Sequence, residues 1–132
     1  MYAKWSAARW FCALLAAVLG VRAVSTLLDG ADFAIPGTGW RSVWQLIMVA
    51  ILITGVLRPR WAVAAALTVA SVYAMATVSE LFDGSTLLAA IPVDSRDRYL
   101  HPLFAVIGLA SAMLRQCQAF PRGRGEVVRP PS

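Results

Sequence analysis

The sequence predicts an all-α integral membrane protein: a four-helix bundle of two tandem helical hairpins related by a pseudo-twofold internal repeat. Three observations carry this. The chain is 59% hydrophobic and 14% charged over 132 residues, more apolar surface than a soluble domain of that size covers, whereas lipid solvates it. Four apolar runs succeed one another, separated by the tight Arg58-Pro59-Arg60 turn and by two longer acidic loops, about Asp29 to Gly39 and Asp83 to Asp97. The sequence also repeats itself at an offset of 54 residues.

The apolar runs are Trp10 to Leu28, Trp40 to Leu57, Trp61 to Phe82 and Tyr99 to Leu114. A span needs about 20 residues, and about 17 suffice; the first three runs reach that. Helices are expected over about 6–28, 40–57, 61–82 and 98–116, within a transmembrane domain of residues 1–119. The short fourth run requires Arg98 and Arg115 to snorkel, or the bilayer to thin locally. Pro102 is harmless if that helix starts at Asp97 or Arg98, because first-turn amides have no intrahelical partner. Trp5, Trp10, Trp40, Trp61 and Tyr99 lie near run ends, where amphipathic rings favour the interface. Lys4 and Arg9 resemble the start of a signal peptide, but the apolar stretch is long and Val21-Arg22-Ala23 is a poor cleavage pattern. The first segment is therefore expected to be retained.

Charge placement sets the orientation. Lys4, Arg9, Arg58, Arg60, Arg115, Arg122, Arg124 and Arg129 fall on one side; Arg41, Arg96 and Arg98 fall on the other, with Asp29, Asp32, Asp83, Asp94 and Asp97. The positive-inside rule puts both termini and the Arg58-Pro59-Arg60 turn in the cytoplasm of a plasma-membrane protein. The same placement excludes a nucleic-acid partner, since the basic residues of this net +5 chain cluster at the ends of apolar runs. Residues 120–132, rich in Pro, Gly and Arg, are expected to form a disordered basic cytoplasmic tail.

The repeat has several parts. Leu27-Leu28-Asp29-Gly30 recurs as Leu81-Phe82-Asp83-Gly84, and Val24-Ser25 as Val78-Ser79. A stripe of small residues, Ala8, Cys12, Ala16 and Gly20, maps onto Ala62, Ala66, Ala70 and Ala74. Ile35-Pro36 recurs as Ile91-Pro92 at an offset of 56, which pairs Gln45 with His101. Small residues let helix backbones approach, the main attraction available in lipid, so close packing is expected through the first and third helices. Gly108 and Ala112 supply a shorter stripe in the fourth.

No catalytic motif is present. The chain has one histidine, and its two cysteines, Cys12 and Cys117, have neither metal-ligand spacing nor a disulfide framework. No cofactor is expected. The residues that break the repeat are the candidates for a site. Arg22 lies seven residues before Asp29, about 10 Å deeper along a helix, and its counterpart is Ala76. Glu80 has Thr26 as counterpart, one turn from Arg22. A pseudo-twofold therefore brings Arg22 to face Glu80, in a polar cluster with Asp83, His101 and Gln45. Such a cluster binds an anionic head group or ligand, relays protons, or is a structural ion pair.

The stretch Ile91-Pro92-Val93-Asp94-Ser95-Arg96-Asp97-Arg98-Tyr99-Leu100-His101, continuing through Pro102 to Gly108, resembles a family of uncharacterised actinobacterial four-helix membrane proteins. Members carry Pro-Val-Asn-x-x-Asp, then an aromatic residue, Leu-His and a Gly-containing apolar helix. Here Asp94 replaces the Asn, Asp97 and His101 match, and Gln45 stands where the family often has a second histidine. More distantly the architecture is similar to DoxX-type membrane proteins, which implies an oxidoreductase subunit. The residues themselves favour a non-enzymatic accessory or scaffold subunit whose partners are the lipid bilayer and another membrane protein or a second copy of itself. A small transporter or a lipid- or quinone-binding protein is the alternative.

Overall fold

A computed structural model describes residues 5–84, 86–88 and 90–119. Four helices make up nearly all of it: α1 (Ala7–Leu28), α2 (Thr38–Leu57), α3 (Ala62–Asp83) and α4 (Asp97–Ala119). A 3-10 turn, Pro59–Trp61, joins α2 to α3. Two short antiparallel strands, β1 (Thr86–Leu87) and β2 (Ile91–Pro92), form a hairpin between α3 and α4. The sequence pattern predicts only loop there. The strands are too short to show a periodicity, and the turn uses Leu88 at φ +53°, a conformation more usual for glycine.

The helix ends reflect local chemistry. Ser6 caps α1, its hydroxyl accepting from the Arg9 amide at 3.3 Å. Gly30 and Gly84 succeed the ends of α1 and α3 with φ of +95° and +78°, where glycine carries no side-chain penalty. Both belong to the repeated Asp-Gly pair. Pro102 is the sixth residue of α4, beyond the free first-turn amides, so the Arg98 carbonyl has no i+4 donor. Helix α4 also outruns the predicted 98–116 at both ends. Helix formation continues past the apolar run that defined the expected boundary.

The most extensive packing lies within the hairpins α1–α2 and α3–α4; α2–α3, α1–α4 and α1–α3 contacts are smaller. Buried positions repeat: Ala8, Phe11, Cys12, Leu15 and Leu19 on α1 correspond, 54 residues on, to Ala62, Ala65, Ala66, Val69 and Tyr73 on α3, all buried. The first and third helices do meet, with the Cys12 thiol donating to the Ala62 carbonyl at 3.6 Å. Close approaches are also made at glycines of the other two helices. A Cβ on Gly55 would sit 2.9 Å from the Ala65 Cβ and 3.0 Å from the Cys12 sulfur; one on Gly108 would sit 2.8 Å from both the Ala70 Cβ and the Phe11 ring.

The small-residue stripes are buried only in part. Ala8, Cys12, Ala62, Ala66 and Ala70 are buried, as are Gly108 and Ala112; Ala16 and Gly20 are half-buried, and Ala74 is exposed. A four-residue step overshoots a helical turn by about 40°, so a stripe held at that spacing winds off the contact face. The core keeps to the mixed spacing Ala62, Ala66, Val69, Tyr73, Ala76, Glu80 instead.

Three helices, α1, α2 and the stretch Pro59–Phe82, are long and apolar enough to cross a membrane. Helix α4 has the length, at 23 residues, but opens with Asp97 and Arg98 and carries His101. Residues 1–4 and the tail 120–132 lie outside the described residues, as do the side chains of Asp83 and Cys117.

Gly108→Ala is expected to cost about 1–3 kcal/mol by overpacking. Gly20→Ala, whose nearest neighbour would be 3.9 Å away, is expected to be neutral or slightly stabilising. Thermal unfolding of the two variants in detergent checks the contrast.

Candidate functional site: an ion-paired cluster under the hairpin

Asp97 opens α4 and is only 4% exposed. Its Oδ1 is ion-paired with Arg22 Nη1 at 2.9 Å, and Arg41 Nη1 lies 3.6 Å from its Oδ2. The same Oδ2 accepts from the Asp94 amide at 3.3 Å, so the carboxylate also ties down the turn that precedes its helix. Asp94, more exposed, accepts from Arg41 Nη1 at 2.7 Å and lies 3.9 Å from Arg22 Nη2. Two guanidiniums and two carboxylates thus balance, with α1, α2 and α4 each contributing. Burial of any one charge unpaired would cost several kcal/mol.

One turn along α4 from Asp97, His101 faces α3. Its Nδ1 is hydrogen-bonded to Glu80 Oε1, and both side chains are largely buried. Tyr73 stacks at a tilt on the His101 ring with centroids 5.1 Å apart, and meets Phe104 edge-on at 5.4 Å. Between the two polar groups lies a void of about 20 Å³ whose lining includes Arg41, Gln45, Tyr73, Asp97 and His101. It is large enough for one water, and too small for a head group. Leu87, Ile91 and Pro92 of the hairpin close it. Among the described residues no buried side-chain nitrogen or oxygen lacks a partner.

Arg22, Glu80, His101 and Gln45 therefore gather at one end of the bundle, but with different partners from those expected. Arg22 pairs with Asp97 and Asp94, and Glu80 pairs with His101. Symmetry sets Arg22 against Glu80, whereas the acids that reach it lie beyond the segment in which the second repeat is two residues longer. Asp83 ends α3, and its side chain is outside the described ones. Arg41, Asp94 and Asp97 are site residues that the breaks in the repeat at offset 54 do not reveal. A signal existed: at the offset of 56, Arg41 falls on Asp97, a charge reversal at equivalent positions.

Among the described residues no group of three or more His, Cys, Asp or Glu side chains is placed to hold a metal ion. Elsewhere the surface carries one large apolar groove of about 470 Å³ between α1 and α4, lined mainly by Trp10, Leu14, Val18, Phe104, Ile107 and Ala110. No protein-family model, no curated protein and no solved structure matches the chain.

Asp97→Asn is expected to destabilise the fold by about 3 kcal/mol, because it leaves Arg22 and Arg41 facing a neutral group. Asp94→Asn, on a carboxylate 59% exposed, is expected to cost about 1 kcal/mol or less. Melting temperatures of the two purified variants decide this.

Proposed function

We propose that this chain is a non-enzymatic, four-span membrane protein with both termini cytoplasmic, serving as an accessory subunit beside a larger membrane protein. One observation carries the reading. The charged groups are paired with one another around a void of about 20 Å³, while the apolar groove of about 470 Å³ between α1 and α4 is left open. From Ala7 to Val18 that groove runs along about three helical turns. Ala7, Ala110 and Ser111 give it low walls, the surface over which helices associate in lipid. Its occupant on this reading is a transmembrane helix of the partner.

Other features support a membrane setting. Leu14, Val18, Val21, Met75, Val78, Leu81, Val106 and Met113 are exposed along the helices, an apolar surface that lipid covers without penalty. With α1–α3 spanning, α4 completes an even number of crossings by its length, its charged start lying at the outer interface. The hairpins descend from one duplicated unit on this reading, supported by matching buried positions and paired positive-φ glycines. Kinship with the actinobacterial four-helix family rests on residues 91–108. Asp94, Asp97 and His101 of that stretch all enter the cluster, so the motif reads as the lock that closes the bundle.

The transporter, lipid- or quinone-binding reading draws on the buried Glu80–His101 pair. Against it, the half of the core nearest the Pro59 turn is apolar, formed by Phe11, Cys12, Leu15, Leu52, Ala66 and Val69. A DoxX-like redox role would call for paired histidines or redox cysteines, and the chain has a single histidine.

Native mass spectrometry after gentle extraction tests the proposal. A stoichiometric membrane-protein partner is expected, and Ala110→Trp, which fills the groove, should abolish its co-purification. Val78→Trp, on another exposed face, should not. A homo-oligomer disrupted by Ala110→Trp would make a second copy the occupant. A bare monomer would end the accessory reading.

A further inference from the structure

The end of the bundle opposite the cluster carries the other charge pattern. Arg9, Arg58 and Arg60 lie there, and no acidic side chain is placed at that end among the described residues. Arg9 is engaged: its Nε donates to the Val56 carbonyl at 2.9 Å and its guanidinium sits 4.3 Å from the Trp5 ring. Arg58 and Arg60 are both exposed and make no ion pair with any described residue.

Between α2 and α3, directly under Arg58, runs a groove of about 300 Å³ lined by Ile51, Thr54, Arg58, Trp61, Ala64, Ala65 and Thr68. Its chemistry changes along its length. Arg58 and the half-exposed indole of Trp61 stand at its mouth. Thr54, one turn before Arg58, is about 6 Å further in, and Thr68, seven residues past Trp61, about 10 Å. Thr54 returns its proton to its own helix, to the carbonyls of Ile51 at 2.5 Å and Ala50 at 3.2 Å, so its oxygen is left to accept. The Thr68 hydroxyl has no hydrogen bond to a described residue and is exposed. Ile51, Ala64 and Ala65 supply the apolar wall.

Cation first, hydroxyls next and aliphatic wall alongside is the order of a phospholipid read from its phosphate through the glycerol esters to the acyl chains. We propose that this groove binds an anionic phospholipid of the cytoplasmic leaflet, its phosphate on Arg58 and its ester region between Thr54 and Thr68. A basic groove between spans on the cytoplasmic side is suited to such head groups. Arg60, whose guanidinium lies 6.0 Å from the Trp61 ring, adds a second positive charge beside the mouth. This groove differs from the α1–α4 groove in kind, since no charged residue lines that one. The proposal rests on the membrane reading and is independent of the accessory-subunit reading.

The test uses the full-length protein in detergent with dioleoylphosphatidylglycerol or dioleoylphosphatidylcholine added, and native mass spectrometry to count retained lipids. One phosphatidylglycerol should be held at least about fivefold more than phosphatidylcholine, and Arg58→Gln should lower that retention about fivefold. Arg98→Gln, at the opposite end, should leave it unchanged. Equal retention of the two lipids, or equal loss in the Arg58 and Arg98 variants, would overturn the site. Inorganic phosphate at millimolar concentration should not displace the lipid; if it does, the groove recognises the free anion and the lipid site is refuted. Alkaline extraction of native membranes is run alongside. Release of the chain there would refute the membrane reading itself, whereas retention of the chain without lipid selectivity would refute this site only.

Discussion

Asp97 is a carboxylate at a helix start, shut away from water, with guanidiniums from two other helices on its oxygens. Such a group is unfavourable alone and stable only with its partners in place. Its position fixes the rotation of α4 about its own axis. His101, Phe104, Gly108 and Ser111 succeed it at helical spacing on the same face. Setting Asp97 between Arg22 and Arg41 therefore aims His101 at Glu80, Phe104 at Tyr73 and Gly108 at Ala70 and Phe11. The pair of charges at one end and the close glycine approach farther down are two readouts of one helix rotation. The hairpin is held through the same group, by the bond from the Asp94 amide to Asp97.

Helices α1 to α3 were legible because length and apolarity suffice to define them, and their boundaries fall within about two residues of expectation. The far end of α4 was not, because polar residues after Leu114 continue the helix without continuing the apolar run. The hairpin was invisible for a different reason: each strand has two residues, and its pairing is decided by packing of Leu87 against the bundle. At the site, the membership of Arg22, Glu80, His101 and Gln45 could be read from breaks in the repeat. Their pairing could not. A symmetry argument places positions, and an ion pair forms with whichever acid the intervening chain delivers. Here that acid lies beyond the segment where the second repeat is two residues longer.

The cluster and the grooves divide the molecule's chemistry. A polar network whose charged members are all paired rigidifies, and offers little to a ligand that would have to break those pairs. Open surface with unspent valence is found elsewhere, in the apolar channel between α1 and α4 and around Arg58. That division is why a conspicuous set of buried charges is assigned to holding the fold, and less conspicuous surfaces to recognition.

The two hairpins also differ in an ordered way. Their matching positions in the apolar core keep the same character, while the exchanges Arg22 for Ala76, Thr26 for Glu80, Arg41 for Asp97 and Gln45 for His101 all fall at the cluster. The first hairpin brings both arginines there, and the second brings the acids and the histidine. On the duplication reading, two initially equal hairpins have become electrostatically complementary. Association of like with like would set Arg22 and Arg41 against a second pair of arginines, buried and unpaired, at a cost of several kcal/mol. Association of unlike halves satisfies every charge. The cluster thus selects one pairing of hairpins over the alternatives that their shared apolar faces would equally permit.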